Sequence, residues 1–425
     1  MHTEVLIDKI ENGELDERLM DIYVDSSQID YQRERYIKAI KRFETLYSEG
    51  DVRVFSAPGR SEICGNHTDH QRGMVLAASV NLDSIAIVRP TKEPVVRIVS
   101  GSYSEIQISL KDISMKQKEK ETTVALVKGV LDGFKKRKYK IGGFCAYITS
   151  DVLIGAGLSS SAAFETLIGT ILSGLYNKMS VSPIEIASIA QYAENTYFGK
   201  PCGLMDQMAC SVGNLVYIDF ANVNHPDVTK IEFEMEKHGY SLCITDTKGS
   251  HADLTDEYAA VPNEMKRVAK YFGKEVLRDI SEQDILNDIH VLRSKLGDRC
   301  VLRALHFIAE NNRVRQEVEA LLNGNMEQFL RIVKASGDSS YKYLQNVYSN
   351  NDVLNQNVSV ALAVSDVVLK EKGVSRVHGG GFAGTIQAFV QNNYVDVYKK
   401  NMDLVFGTGS CNVLKIRKYG GVQVI

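Results

Sequence analysis

The stretch VLIGAGLSSSAAFETLIG, Val152 to Gly169, constrains this chain more than any other. A strand-like run ends in a loop of small residues, Gly155, Ala156, Gly157 and Leu158, and three serines, Ser159, Ser160 and Ser161, then open a helical pattern. Ala162, Ala163, Leu167, Ile168, Ile171 and Leu172 recur at helical spacing, which predicts a buried helix over Ser159 to Tyr176. Small residues let the backbone approach a ligand closely. A helix start exposes unpaired N–H groups and the positive end of the helix dipole, which together attract an anion. One serine is enough to cap a helix. Three successive hydroxyls exceed that need, so a plain serine cap and a phosphate-binding loop stand level on this stretch alone.

Familiar loops can be tested against it. A Walker loop needs a lysine after its glycines, and none follows here. Gly379 to Gly384 fits G-x-G-x-x-G, but it precedes the strand-like TIQAFV instead of a helix, so a dinucleotide fold fails on context. His378 opens HGGGF, which has the look of an esterase oxyanion loop. No G-x-S-x-G nucleophile elbow occurs to go with it.

A chain of 425 residues is long for one core, and two domains are expected, 1–220 and 221–425. Residues 1 to 49 read as charged helices. VRVFSAPGR reads as a short strand broken at Pro58-Gly59, and Val75 to Val88, Val95 to Leu110 and GGFCAYITSDV read as strands. Ser182-Pro183-Ile184-Glu185 carries a serine cap, a proline at the first helical position and a capping-box glutamate, so a helix runs from there to about Gly199. NLVYIDF, KIEFEM and YSLCITDT are strands again. A mostly helical stretch from Asp253 to Lys372 and a strand-rich end complete the chain.

Charge is nearly balanced, with 50 Lys plus Arg against 53 Asp plus Glu, so there is no electrostatic footprint for nucleic acid or an anionic membrane. Seven scattered cysteines without a C-x-x-C pair signal neither a zinc knuckle nor a disulfide framework, and free thiols fit a reducing cytoplasm. The N-terminal residues are charged throughout with no signal-peptide core, and no apolar run approaches the roughly 18 residues a membrane helix needs. Nothing in the sequence specifies a protein partner.

Two carboxylates sit oddly. Glu194 borders an apolar face formed with Ala190, Tyr197 and Phe198, near a helix C-terminus where negative charge is unfavourable. A nearby cation would offset both effects; an exposed, snorkelling glutamate is the plainer alternative. Asp206 lies between Met205 and Met208, where a carboxylate needs a partner or a task, unless it simply caps a helix. GRSEICGNHTDHQRG, Gly59 to Gly73, packs Arg60, Glu62, Asn66, His67, Asp69, His70, Gln71 and Arg72 into one segment suited to a polyhydroxyl ligand. Its histidines lack a supporting metal-binding spacing.

Three separated motifs now line up. APGRSEICGNHTDH, GAGLSSSAA and VHGGGFAG resemble the three signature motifs of the GHMP small-molecule kinases, and within them the galactokinases, whose sugar motif runs GRxNxxGEHTDYxxG. AENTYFGKPCGLMDQ, Ala193 to Gln207, resembles the galactokinase segment holding a metal-binding glutamate and a catalytic aspartate. The resemblance extends from residue 51 to the C-terminus. It implies an α+β, two-domain GHMP-kinase-like fold of mixed sheets and helices with the active site in the cleft between domains. It implies ATP and Mg²⁺ as cofactors and a small sugar as substrate. Arg60 and Asp206 match the pair flanking the anomeric hydroxyl. Ser161 and Glu194 match magnesium ligands, and Gly155 to Ser161 match the ATP phosphate loop. Asn66, His67, Asp69, Gly203 and Tyr258 match sugar-contacting positions, Tyr258 through SHADLTDEY.

The chain departs from that pattern where Asn66 replaces a glutamate, His70 a tyrosine, Leu153 a proline and Ala383 a glycine, and where YAAVPNEM lacks the usual arginines. These changes touch the sugar pocket more than the phosphate machinery. The implied reaction is phosphorylation of galactose to galactose 1-phosphate. Asn66 keeps open a sister kinase for galacturonate, arabinose or N-acetylgalactosamine. A catalytically silent sugar- and ATP-sensing regulator is a third reading, disfavoured by the intact serine run, Glu194 and Asp206.

Overall fold

The computed structural model describes residues 1–153, 157–223, 225–250 and 254–425. Three helices come first, α1 (Thr3–Glu11), α2 (Asp16–Tyr23) and α3 (Ile29–Tyr47), and they bury Leu6, Ile22, Tyr36, Ile40 and Phe43 against strands of the following sheet. Strands β1 (Arg53–Cys64), β2 (Met74–Pro90), β3 (Val95–Ser100) and β4 (Ile106–Ser109) follow, then α4 (Thr123–Lys136) and β5 (Phe144–Ser150). Helices α5 (Ser160–Asn177), α6 (Pro183–Tyr192) and α7 (Met205–Val212) precede β6 (Leu215–Asp219), β7 (Asp227–Ile231) and β8 (Tyr240–Asp246). Then come α8 (Thr255–Tyr271), α9 (Glu282–Asn287), α10 (Ile289–Leu296), α11 (Asp298–Leu322), α12 (Met326–Ser339) and α13 (Asn357–Leu369). The chain closes with β9 (Gly373–His378), β10 (Thr385–Gln391), α14 (Val395–Phe406), β11 (Cys411–Leu414) and β12 (Val422–Gln423).

Among the described residues the strands form two sheets. The larger has eight strands in the order β12-β1-β2-β5-β3-β4, with β6 paired to β2 and β7 to β6. Only β3 and β5 run parallel. The smaller is the antiparallel β11-β8-β10-β9. This is the mixed α+β architecture the motifs implied. We propose residue 220 as the division between the two units with one qualification: β7 and the terminal β12 lie beyond it yet belong to the larger sheet. No described helix is long and apolar enough to cross a membrane.

Local chemistry explains most elements. Helix α5 starts one residue later than expected, because Ser159 takes the left-handed conformation at φ 54° and ends the loop. Ser182 caps α6 by accepting from the Glu185 N–H at 3.2 Å, with Pro183 in the first turn. Glu185 meets the Ser182 hydroxyl, at 3.2 Å, so the reciprocal half of a capping box is replaced by a side-chain pair.

Other expectations need correction. Strand β1 is not broken at Pro58-Gly59: it continues to Cys64 through a register shift between Pro58 and Arg60, so the proline sits at a bulge where no ladder N–H is needed. Gly59 is required there, since a Cβ would press on the Leu158 carbonyl. KIEFEM is a strand only as far as Ile231, and Met235–His238 is a 3₁₀ turn. The strand-rich end contains α14, which is held by Tyr398 and Met402, buried four residues apart on one face.

One buried cluster ties these parts together. The Asp83 carboxylate, wholly buried on β2, accepts from Arg35 Nη1 at 2.7 Å, Arg417 Nη1 at 2.9 Å, Tyr23 Oη at 2.9 Å and Ser56 Oγ. Arg35 also bonds the Asp83 carbonyl at 2.8 Å and pairs with Asp151 at 3.0 Å. Burial alone would raise the Asp83 pKa, but the two arginines hold it below the ordinary 3.8. Removing one partner of a buried ion pair costs about 3–5 kcal/mol, so Asp83→Asn should lower the urea-unfolding free energy at pH 7 by that order. Because the native pKa is depressed, this stabilisation is present above pH 3.8 and is lost as pH falls toward the native value. The gap between wild type and Asp83→Asn should therefore narrow in melts taken below pH 3.8; a gap that is small at pH 7, or constant with pH, would refute the assignment.

Candidate active site

Asp206 stands in the first turn of α7, where a negative charge complements the helix dipole. Its Oδ1 accepts from Arg60 Nε at 2.7 Å and lies 2.6 Å from Arg60 Nη2, and its Oδ2 accepts from Ser159 Oγ. Arg60 donates its remaining terminal nitrogen to the Gly157 carbonyl, and its backbone N–H bonds Leu158 O at 3.1 Å. The sugar-like motif on β1, the glycine-serine loop and α7 thus meet at one carboxylate. That carboxylate is fixed from two sides and still one-third exposed. A group held this way can accept a proton from a hydroxyl placed beside it.

Glu194 lies on a π-helical turn, Ala193–Phe198, that continues α6 and ends at Gly199 with φ 91°. Such turns recur at functional sites because they re-aim one side chain. Its carboxylate is buried, accepts from Gln207 Nε2 at 2.7 Å and lies 3.5 Å from the exposed Lys200 ammonium. Lys200 is the nearby cation its position called for. Gln207 also reaches Glu165 Oε2 at 3.3 Å, from α5. Glu165 Oε1 and Gln207 Oε1 are buried with no hydrogen-bond partner among the described residues. Burial, and after it the Glu194 charge, push the Glu165 carboxyl well above its usual range. Ser161 lies in the first turn of α5, and its hydroxyl makes no hydrogen bond among the described residues. Gly155 and Ala156 lie outside the described residues, whereas Gly157 (φ 66°), Leu158 and Ser159 complete the loop and Ser160 opens α5.

The sugar-motif residues gather under the third glycine motif. His67 Nε2 pairs with the Gly380 carbonyl at 2.9 Å, and burial lowers its pKa, so the neutral ring donates there. Tyr258 donates to Gly381 O at 2.7 Å, stands edge-on to Phe382, and is pushed up to about 12 by burial. Asp69 accepts from the His70 N–H at 2.8 Å and abuts Gly203, where a Cβ would collide with its Oδ2. Burial, and to a lesser degree the Asp206 charge, raise the Asp69 pKa. Asp69, Gly203, Asp206 and Arg60 therefore lie side by side.

Asn66 is placed differently. Its amide nitrogen donates to Glu62 Oε1 at 2.9 Å and Gly379 O at 2.7 Å, while its amide oxygen accepts from Asn346 at 2.8 Å and Ser340 at 3.3 Å. It is fully buried and fully engaged, so its amide braces the pocket from behind. The family motif GRxNxxGEHTDY has asparagine at position 62 and glutamate at 66, whereas this chain has Glu62 and Asn66. The two residue types have exchanged places, and they bond to each other. Sequence reading registered the change at 66 and missed its complement at 62, although the motif itself carries that signal. It also missed Glu165, a carboxyl four residues after Ser161 on an otherwise apolar face, and it noted His378 only as the start of HGGGF, without a bridging role. His378 Nε2 pairs with Ser61 Oγ at 3.1 Å and its Nδ1 with Thr385 Oγ1 at 2.8 Å, and a Cβ on Gly157 would lie 3.1 Å from that ring.

The GHMP kinase N-terminal domain model matches residues 125–214, and the galactokinase galactose-binding signature matches residues 41–90. A galactokinase of Actinobacillus pleuropneumoniae serotype 3 is 30% identical over 361 residues, covering 84% of this chain and 90% of its own. One of Clostridium tetani is 29% identical over 368 residues, covering 85% and 90%. The crystal structure of Lactococcus lactis galactokinase complexed with galactose matches the fold with a TM-score of 0.76 at 23% identity, over 90% of this chain and 98% of that one.

The exchanged pair yields a stability prediction. Asn66→Glu alone would face the Glu62 carboxylate and the Gly379 carbonyl with no donor, and should lose about 3 kcal/mol, the scale of an unpaired buried charge. The double exchange Glu62→Asn with Asn66→Glu restores one donor and one carboxylate, so urea melts should recover at least 1 kcal/mol relative to the sum of the single variants. Simple additivity would show that the two side chains are not coupled.

Proposed function

The chain belongs to the galactokinase family of GHMP kinases, and from that membership and the Arg60–Asp206–Ser159 arrangement we propose that it transfers the γ-phosphoryl group of ATP to the anomeric hydroxyl of galactose. The observation that carries this reading is a single carboxylate gripped by the sugar motif and the serine loop together. The sugar oxygen attacks the γ-phosphorus, its proton passes to the Asp206 carboxylate, and the bond to the β-phosphate oxygen breaks to leave ADP. Arg60 orients Asp206 and places positive charge beside the oxygen that attacks. His67, Asp69, Gly203 and Tyr258 border the sugar. Asn66 supports this pocket through Glu62 and Gly379.

Magnesium fits the donor set. Glu194 is a buried carboxylate paired, among the described residues, with Lys200, an exposed and displaceable side chain. Ser161 offers an unengaged hydroxyl, and Mg²⁺ commonly takes one or two protein oxygens with phosphates and water. Held by Glu194 and Ser161, such an ion would offset charge on the transferring group. Gly157 to Ser161 would hold phosphates with loop N–H groups and the α5 dipole. Seven free cysteines and ATP as donor favour a cytoplasmic setting.

ADP-release assays with galactose, galacturonate, arabinose and N-acetylgalactosamine test the substrate. Galactose should have the highest kcat/KM; a preference for another sugar would overturn the assignment while leaving the phosphoryl chemistry intact. Asp206→Asn should keep the fold, read as an unchanged circular-dichroism spectrum, and lose about 10²–10⁴-fold in kcat. Near-normal turnover would remove Asp206 as the base. Glu194→Gln should shift the magnesium dependence of activity to higher concentration, and superimposed titrations would remove Glu194 as a ligand.

A further inference from the structure

A cavity of about 950 Å³ opens beside the serine helix. Ser160, Ser161 and Phe164 of α5 line it, and so does Tyr103 from the β3–β4 turn. Its remaining lining includes a part of the chain that none of the kinase motifs touches: Gln28, just ahead of α3, and Tyr31, in the first turn of α3. A phosphate chain seated on Ser160 and Ser161 leaves the rest of this space for the nucleoside, and the cavity is large enough for one.

The polar and aromatic groups there are unusually free. Tyr31 and Tyr103 are large rings that remain 49% and 73% exposed. Tyr31 is nevertheless fixed at one end, because its hydroxyl donates to Asp151 Oδ1 at 3.1 Å. Asp151 immediately precedes the loop that leads to the serines, so the Tyr31 ring is anchored at the root of the phosphate loop. The Gln28 side chain makes no hydrogen bond among the described residues, and Gln32 uses its oxygen on Arg35 at 3.2 Å. A rigid, half-exposed ring beside an uncommitted amide is a suitable surface for a flat base.

We propose that the segment Tyr23–Gln32 is a wall of the nucleotide site, with Tyr31 packing on the nucleoside of the phosphoryl donor and Gln28 offering it a hydrogen bond. This rests on the kinase reading above and adds to it a nucleotide-binding role for the N-terminal helices. The segment's contribution is to affinity for the donor; it takes no part in proton or phosphoryl transfer.

Calorimetric titration with ADP and with inorganic tripolyphosphate, without sugar, separates the nucleoside from the phosphates. Tyr31→Ala should weaken ADP binding about tenfold, the scale of lost ring stacking, and leave tripolyphosphate within twofold of wild type. Tyr31→Phe, which keeps the ring but loses its anchor on Asp151, should fall between wild type and Tyr31→Ala with ADP. In turnover, KM for ATP should rise with Tyr31→Ala while kcat and KM for the sugar hold. Unchanged ADP affinity in Tyr31→Ala, or an equal loss for ADP and tripolyphosphate, would overturn the proposal while the kinase reading stands. A folded wild-type protein that binds neither probe would overturn both.

Discussion

The rest of the structure hangs on the charge of Asp83. Its oxygens collect Arg35 from the N-terminal helices, Ser56 from β1 and Arg417 from the last ten residues, partners 48, 27 and 334 positions away. Each element arrives through its own hydrophobic contacts, which are non-directional and tolerate sliding. Hydrogen-bonded charges with no exposure do not, because a misplaced arginine would be left buried and unpaired. The cluster therefore fixes relative position more than it adds net stability. It also reaches the chemistry. The Asp83 carbonyl accepts from the Asp151 N–H at 2.9 Å, and Arg35 spans both aspartates, so the strand end that launches the phosphate loop is held from the far side of the sheet.

A second set of contacts makes one site out of three motifs. Arg60 grips Asp206 and the Gly157 carbonyl, and His378 connects Ser61 to Thr385 beside Gly157. Burial, followed by the nearby Arg60 and Arg376 charges, holds the His378 pKa well below 6.5, so the ring is neutral and has one donor and one acceptor. A neutral bridge suits its place, since a second positive charge beside Arg60 would compete for the same carboxylate. Gly157 and Gly203 matter here for what they lack: side chains at either would press on His378 or Asp69.

Helices announced themselves in the sequence where capping and periodicity agreed. Ser182 with Pro183 marked the start of α6, and the apolar spacing after Ser161 marked α5. The motif residues Arg60, His67, Asp69, Gly203 and Asp206 do converge, because a resemblance over most of the chain carries tertiary information that local pattern lacks. What stayed illegible depends on long-range partners. The bulge that lets β1 run past Pro58 needs the facing register of β2. The π-turn that aims Glu194 has no propensity signature, and Lys200 and Gln207 become its partners only once α7 folds back. Position 66 taken alone points at the ligand, and only its exchange with position 62 turns Asn66 into a brace. A buried polar residue is defined by all its partners, and four of those here, Glu62, Ser340, Asn346 and Gly379, span more than three hundred positions.

The N-terminal helices illustrate the same point from the other direction. In sequence they read as charged helices ahead of the first kinase motif. Folded, Tyr36 and Tyr23 bond each other at 2.9 Å within the sheet's core, and Arg35 commits its charge to Asp83 and Asp151. A segment anchored so firmly by its buried face has fixed positions for its exposed residues as well. Tyr31 lies four residues, about one helical turn, before Arg35, and both reach Asp151. The ion cluster that secures α3 therefore also fixes the lip of the cavity beside Ser160 and Ser161. The anchor Arg35 and the ring proposed to meet the nucleoside sit one turn apart on one face of α3, so a shift of either would carry the other.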